Sequence, residues 1–237
     1  MVTINKKTKT HVDYLLEHIP NLLSLSVMDM GSGRGGFLID IARRGGQAIG
    51  LELNDAYIKE TIEKARQETL KIEVIKGVAE QLPFADSSFD FINFALVVEH
   101  IENPELAVKE MSRVLKRGGL AYMGVPNRFG FWDPHFNLYL VNWLPRSWCN
   151  FFITIFGTHK DYSGPAGRQN LKDMHYFTFG GIKRLLNKYN LETKDIREEK
   201  IKKHCPSYLP HLFLLIPYRF VRFFFSDSFH LLLQKTR

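Results

Sequence analysis

The chain has 237 residues, 45% of them hydrophobic and 24% charged, and carries a formal net charge of +7. That length holds one sizeable domain with insertions, and the composition is that of a soluble globular protein without repeats or low-complexity tracts. Cys149 and Cys205 are the two cysteines, and they form neither a metal pattern nor a disulfide framework, so a reducing cytoplasm is expected.

The N-terminal stretch is basic but lacks an apolar h-region, so no signal peptide is expected. The positive surplus favours nucleic acid, anionic lipid or an acidic substrate, and does not choose among them. Residues 8–19 carry Val12, Leu15, Leu16 and Ile19 at a helical period, and Pro20-Asn21 ends that helix.

Residues 27–36 read VMDMGSGRGG: a buried strand, a glycine turn, then the start of a helix. Two fingerprints overlap in this stretch. Gly31-x-Gly33-x-x-Gly36 satisfies the dinucleotide pattern, while Asp29, Gly31, Gly33 and Gly35 satisfy D-x-G-x-G-x-G. The charge of Asp29 separates the two. A carboxylate beside the cradle repels a pyrophosphate, whereas it suits the ammonium of S-adenosylmethionine, which has no phosphate.

Residues 47–53 form a second short strand with Glu52 at its end, about 20 residues past the glycine loop, where an acidic side chain accepts from ribose hydroxyls. Asn54-Asp55 caps a helix running to about residue 70. Residues 72–75 read as a third strand, and residues 89–98 are apolar on both faces, as a central strand is. Asn103-Pro104 opens a helix through Leu115, which Gly118-Gly119 is expected to stop before a fifth strand over 120–125. Strands alternating with helices predict an α/β, Rossmann-like, doubly wound and mostly parallel sheet with helices on both faces.

Taken together, VMDMGSGRGG, GLEL, AEQLPFADSSFD, VVEHIENP and RVLKRGG resemble the class I S-adenosylmethionine-dependent methyltransferases, nearest the group acting on small molecules and lipids. The likeness covers residues 25–127 and continues weakly through 174–191. It implies S-adenosyl-L-methionine as cofactor. Asp29 and Gly31 then hold the methionyl end, with Ser32 beside them, and Gly33 and Gly35 leave room. Glu52 binds the ribose and Leu53 packs on the adenine. Ala79, Glu80 and Gln81 lie along the adenine edge, and Leu96 faces the sulfonium. Val78 stands where relatives carry an aspartate for the adenine amino group, and Arg117 replaces a usual proline.

Methyl transfer needs alignment more than side-chain chemistry, but an acceptor hydroxyl also needs a base. His100, His135 and His175 are the candidates, with His100, in the EHIENP turn, read as structural and His135 and His175 as the bases that bracket the insert. Linear spacing offers no metal site. Residues 128–175 form an aromatic insert holding Trp132, Trp143 and Trp148, expected to cover a small or lipid-like acceptor, and 161–169 reads as a mobile loop.

From 176 on come a late helix and a hydrophobic extension. Residues 208–233 pair aromatic and leucine runs with Arg219 and Arg222, as a helix lying on anionic lipid does, with Phe220, Phe223 and Phe224 entering the membrane boundary; the alternative is a helix docked on the sheet or the insert. The expectation is therefore one domain: a cofactor core over 8–127, the lid insert, then the extension. It methylates oxygen or carbon, binds no specific nucleic acid, and associates weakly with the inner membrane face. The rivals are an NAD-dependent oxidoreductase, a nucleic-acid methyltransferase and a non-catalytic cofactor binder.

Overall fold

The computed structural model describes residues 9–157, 171–197 and 226–237. In chain order these form α1 (His11–Leu16), β1 (Val27–Met30), α2 (Gly36–Arg43), β2 (Ala48–Glu52), α3 (Asp55–Gln67), β3 (Glu73–Lys76) and β4 (Phe89–Ala95). Then come α4 (Pro104–Val114), β5 (Leu115–Pro126), the short pair β6 (Trp132–Asp133) and β7 (Leu138–Tyr139), α5 (Arg146–Phe156), α6 (Phe179–Lys188), β8 (Leu191–Asp195) and β9 (Ser228–Lys235). Polar caps start the helices where the sequence supplies them. Thr10 and Asp13 make a capping box on α1, and the Asn54, Asn103 and Thr178 side chains accept from the first turns of α3, α4 and α6.

Seven described strands make one sheet in the order β3-β2-β1-β4-β5-β9-β8. β1 to β5 run parallel, and β9 inserts antiparallel between β5 and β8. On one face, α4 and α6 bury Val108, Met111, Ile182 and Leu186 against Met28, Ile92, Phe94 and Leu231. On the other, α1 and α2 bury Val12, Leu15, Phe37 and Ile41 against Val27, Phe91 and Tyr122. The strand order reverses beside β1, so the carboxyl ends of β1 and β4 diverge, which is where open α/β sheets hold ligands.

Three expectations are corrected. The first helix is shorter than 8–19, spanning His11–Leu16. α4 ends at Val114, not at the glycine pair: Leu115 turns extended and pairs with Phe89, and the register slips before Phe91 meets Leu120. The close of the C-terminal segment is a strand, not a helix on lipid. Phe229, Leu231 and Leu233 alternate into the core, each worth about 1.5–3 kcal/mol of burial. Arg219, Phe220, Arg222, Phe223 and Phe224 lie outside the described residues, as does the 161–169 loop. Among the described residues no helix is long and apolar enough to cross a membrane.

Candidate functional site

Asp29 ends up at the carboxyl end of β1 with a relative exposure of only 3%. Asn93, its neighbour on β4, donates from Nδ2 to Asp29 Oδ1 at 2.7 Å. Asn93 Oδ1 is 2.9 Å from His11 Nε2, and an amide oxygen only accepts, so His11 carries its proton on Nε2. Burial pushes the Asp29 pKa up to about 7, with the nearby Glu52 charge adding to the rise and the Asn93 amide opposing it. Burial also lowers the pKa of His11. A cavity of about 440 Å³ opens here, walled by His11, Asp29, Gly31, Ser32, Phe37 and Asn93 among others.

The glycine loop spends its own donors. Gly31 and Ser32 N–H both point to Leu51 O at 2.9 Å, and Gly35 N–H points to Ser32 O. Gly33 N–H reaches Glu52 Oε2 at 2.8 Å, while Leu53 and Asn54 N–H bond Glu52 Oε1 at 2.9 and 2.8 Å. A carboxylate therefore already accepts from the glycine loop at Gly33. An anion there would have to displace Glu52 and face Asp29.

The loop also has room for a neutral or cationic nucleoside. A Cβ built on Gly33 meets nothing within 4 Å, and the Glu52 oxygens keep lone pairs beyond their three backbone donors. Ser32 lines the cavity, but its hydroxyl is buried against Gly50 without a hydrogen-bond partner.

Where the sequence reading put the adenine, Leu53 is 46% exposed and Val78 38%. Ala79 is buried. Glu80 accepts from Asn103 N–H at 3.2 Å, and Val78 bridges Gln81. Arg113 ties this loop down by donating to Phe84 O and Leu82 O at 2.8 and 3.1 Å and to Glu110, which itself accepts from Leu82 N–H. Leu96, half exposed with φ +55°, ends β4 toward the same edge of the sheet.

The insert contributes a second cluster. His135 and Tyr176 meet at 2.9 Å between Nδ1 and the hydroxyl. His135 Nε2 lies 3.5 Å from Glu99 Oε1, and His100 Nε2 lies 3.9 Å from the same oxygen. His175 is exposed and joins the cluster only through its backbone, donating to Glu99 O at 3.0 Å. Of the two predicted bases, only His135 presents its ring to the interior. Sequence reading missed His11, Asn93, Glu99 and Arg113 as site residues. Asn93 carried the one usable signal, a polar residue in an otherwise apolar central strand.

Fold and site thus define a doubly wound α/β domain with carboxylates, Asp29 and Glu52, at its switch point. Residues 28–123 match the family model of the methyltransferase domain. The chain is 33% identical over 129 residues to the ubiquinone biosynthesis O-methyltransferase of Maricaulis maris, a match covering 52% of this chain and 50% of the relative. It is 35% identical over 98 residues to the ubiquinone/menaquinone biosynthesis C-methyltransferase UbiE of Rhizobium meliloti, covering 39% and 38%. An S-adenosylmethionine-dependent methyltransferase of Methanosarcina mazei superposes with a TM-score of 0.58 over 92% of this chain and 96% of its own, at 22% identity. That likeness establishes the fold alone. The chain spans about half or less of the length of the curated relatives it matches. The matched residues carry the methyltransferase-domain pattern, in the fold shared with S-adenosylmethionine-dependent methyltransferases.

Proposed function

We propose that the chain transfers a methyl group from S-adenosylmethionine to oxygen or carbon of a small or lipid-like acceptor. The observation that carries this reading is the pairing of a buried Asp29 with a glycine loop in which the Gly31, Ser32, Gly33 and Gly35 N–H groups are already satisfied, that of Gly33 by Glu52. Such a site refuses a pyrophosphate and accepts a cationic nucleoside. When bound, the cofactor supplies an electrophilic methyl on a sulfonium.

Asp29 and Gly31 then face the methionyl end, and Ser32 lines that half of the site. Gly33 and Gly35 leave room, Glu52 takes the ribose, and Leu53 covers the adenine. Ala79, Glu80 and Gln81 border its edge, with Val78 contributing apolar surface, and Leu96 borders the reacting methyl. For an oxygen acceptor the proton goes to the Glu99–His135 cluster and not to the exposed His175. The relatives named above support a small acceptor, since their names describe O- and C-methylation in quinone biosynthesis. The insert supports a lipid-like one. Trp148, Phe151 and Ile155 on α5 stand 60%, 64% and 54% exposed at helical spacing, an apolar face of the kind that meets a membrane or an apolar ligand. One domain over the whole chain and weak association with anionic membranes belong to the same proposal.

The test is product mass after incubating the protein and isotope-labelled cofactor with metabolite and lipid extracts. A labelled product in the lipid fraction supports the proposal; cofactor binding without any labelled product overturns it. Glu52→Ala is expected to weaken cofactor binding by about 1.5–3 kcal/mol, the worth of hydrogen bonds to a charged acceptor. Glu52→Gln loses less, because one oxygen still accepts. Calorimetry checks both, and an unchanged affinity in Glu52→Ala removes the carboxylate from the ribose.

A further inference from the structure

Glu99 is fully buried, and neither of its carboxylate oxygens has a hydrogen-bond partner. A buried, unpaired carboxylate is costly to hold, so a native fold keeps one where something compensates it. Among the described residues the groups that face it are His135 Nε2 and His100 Nε2, at 3.5 and 3.9 Å from Oε1 and short of a hydrogen bond.

The Tyr176 hydroxyl lies 2.9 Å from His135 Nδ1, which leaves Nε2 as the ring nitrogen that faces Glu99. At 3.5 Å that nitrogen and the Glu99 oxygen do not complete a hydrogen bond, and the separation is one that a cation shared by an imidazole and a carboxylate spans.

The three ligand atoms, one from each of Glu99, His100 and His135, lie within 4.8 Å of one another. Around a tetrahedral ion with bonds of about 2.0–2.2 Å, ligand atoms sit about 3.3 Å apart, so a modest contraction brings these three onto one ion. Two histidines and one carboxylate match a catalytic divalent site, which keeps a further position for water or substrate. Tyr176 on the far nitrogen of His135, backed by Asp133, is the outer hydrogen bond that fixes the tautomer of a metal-bound imidazole.

We propose that Glu99, His100 and His135 bind one divalent transition-metal ion, with Zn2+ the best geometric match. The ion leaves one coordination position for water or an acceptor oxygen, whose proton it makes more acidic. This deepens the acceptor side of the proposed methyl transfer and rests on it only for the chemistry. The ion's binding is measured without cofactor or acceptor.

The experiment is titration of the metal-stripped full chain with Zn2+, followed by calorimetry, and with Co2+, followed by visible absorption. The expected result is one ion per chain and the strong visible bands of a four-coordinate Co2+ site. Glu99→Gln and His135→Ala are expected to weaken Zn2+ binding about 100-fold or more, and Tyr176→Phe about tenfold. His175→Ala, whose ring is exposed, is expected to bind like the wild type. Thermal melts give a second readout: Zn2+ raises the melting temperature of the wild type and not that of Glu99→Gln. If a variant fails to fold, the Co2+ spectrum of the wild type still decides. No heat with Zn2+ and no Co2+ bands overturn the proposal, as does undiminished binding by Glu99→Gln. Loss of methyl transfer with intact metal binding would count against the acceptor reading and leave the ion in place.

Discussion

Gly35→Ala is expected to destabilise the fold by about 2–5 kcal/mol and to take the cofactor site with it. Gly35 sits at φ +74°, where an L-residue pays about 1–2 kcal/mol. An added Cβ would stand 2.2 Å from Thr61 Cγ2 and 2.7 Å from its Oγ1. Thr61 is fully buried on α3 and, being β-branched in a helix, has little freedom to turn away. Overpacking of this kind costs about 1–3 kcal/mol more. Urea denaturation reads the loss as a lower midpoint. Gly33→Ala separates folding from binding. Its φ of +53° carries a similar backbone cost, but its Cβ meets no protein atom within 4 Å. Part of the backbone cost is returned by the stiffer unfolded chain. Gly33→Ala should therefore melt close to the wild type while losing about tenfold or more in cofactor affinity, because the methyl takes up ligand space. Equal melting of the two variants, or full binding by Gly33→Ala, would sink this account of the loop.

The cofactor half of the molecule was readable from the chain because its signals are local. Met28 and Met30 fill a short buried strand, the glycines follow without a gap, and Glu52 closes the next strand. The misread elements are those in which a distant partner decides. Gly118-Gly119 looks like a helix stop, yet Leu115 is drawn into the sheet by Phe89 before the glycines are reached. Residues 229–233 look like one apolar surface because both faces of β9 are covered. Phe229, Leu231 and Leu233 face one core while Leu232 packs against the other, and the two-residue period is hidden by the leucines. The Glu99, His100 and His135 cluster has no linear signature at all. Only the fold of the insert brings His135 to the EH pair, so no spacing along the chain marks the three as a group.

Asp29→Asn is expected to make the ligand-free protein more stable than the wild type at pH 8 by about 4 kcal/mol, and no more stable at pH 4. Asp29 carries a folded pKa of about 7 against an ordinary 3.8, because burial disfavours its charge. A raised carboxyl pKa means that the folded state holds a proton the unfolded chain has already released. This group's contribution to stability is present below about pH 4 and falls as pH rises toward 7. A shift of about three units corresponds to about 4 kcal/mol. Asparagine keeps an oxygen for the Asn93 amide and has no charge to desolvate, so the difference between variant and wild type isolates Asp29 from the other carboxylates. Cofactor binding has the opposite dependence. A cationic methionyl end favours the ionised form, so wild-type affinity should rise about tenfold from pH 6 to pH 8, with close to one proton released per ligand at pH 6. Calorimetry in buffers of different ionisation enthalpy counts that proton. Asp29→Asn should bind weakly at every pH and release none. If the stability difference between Asp29→Asn and the wild type does not change with pH, Asp29 is ionised throughout, and the reading of this loop as a site that waits for a cation fails with it.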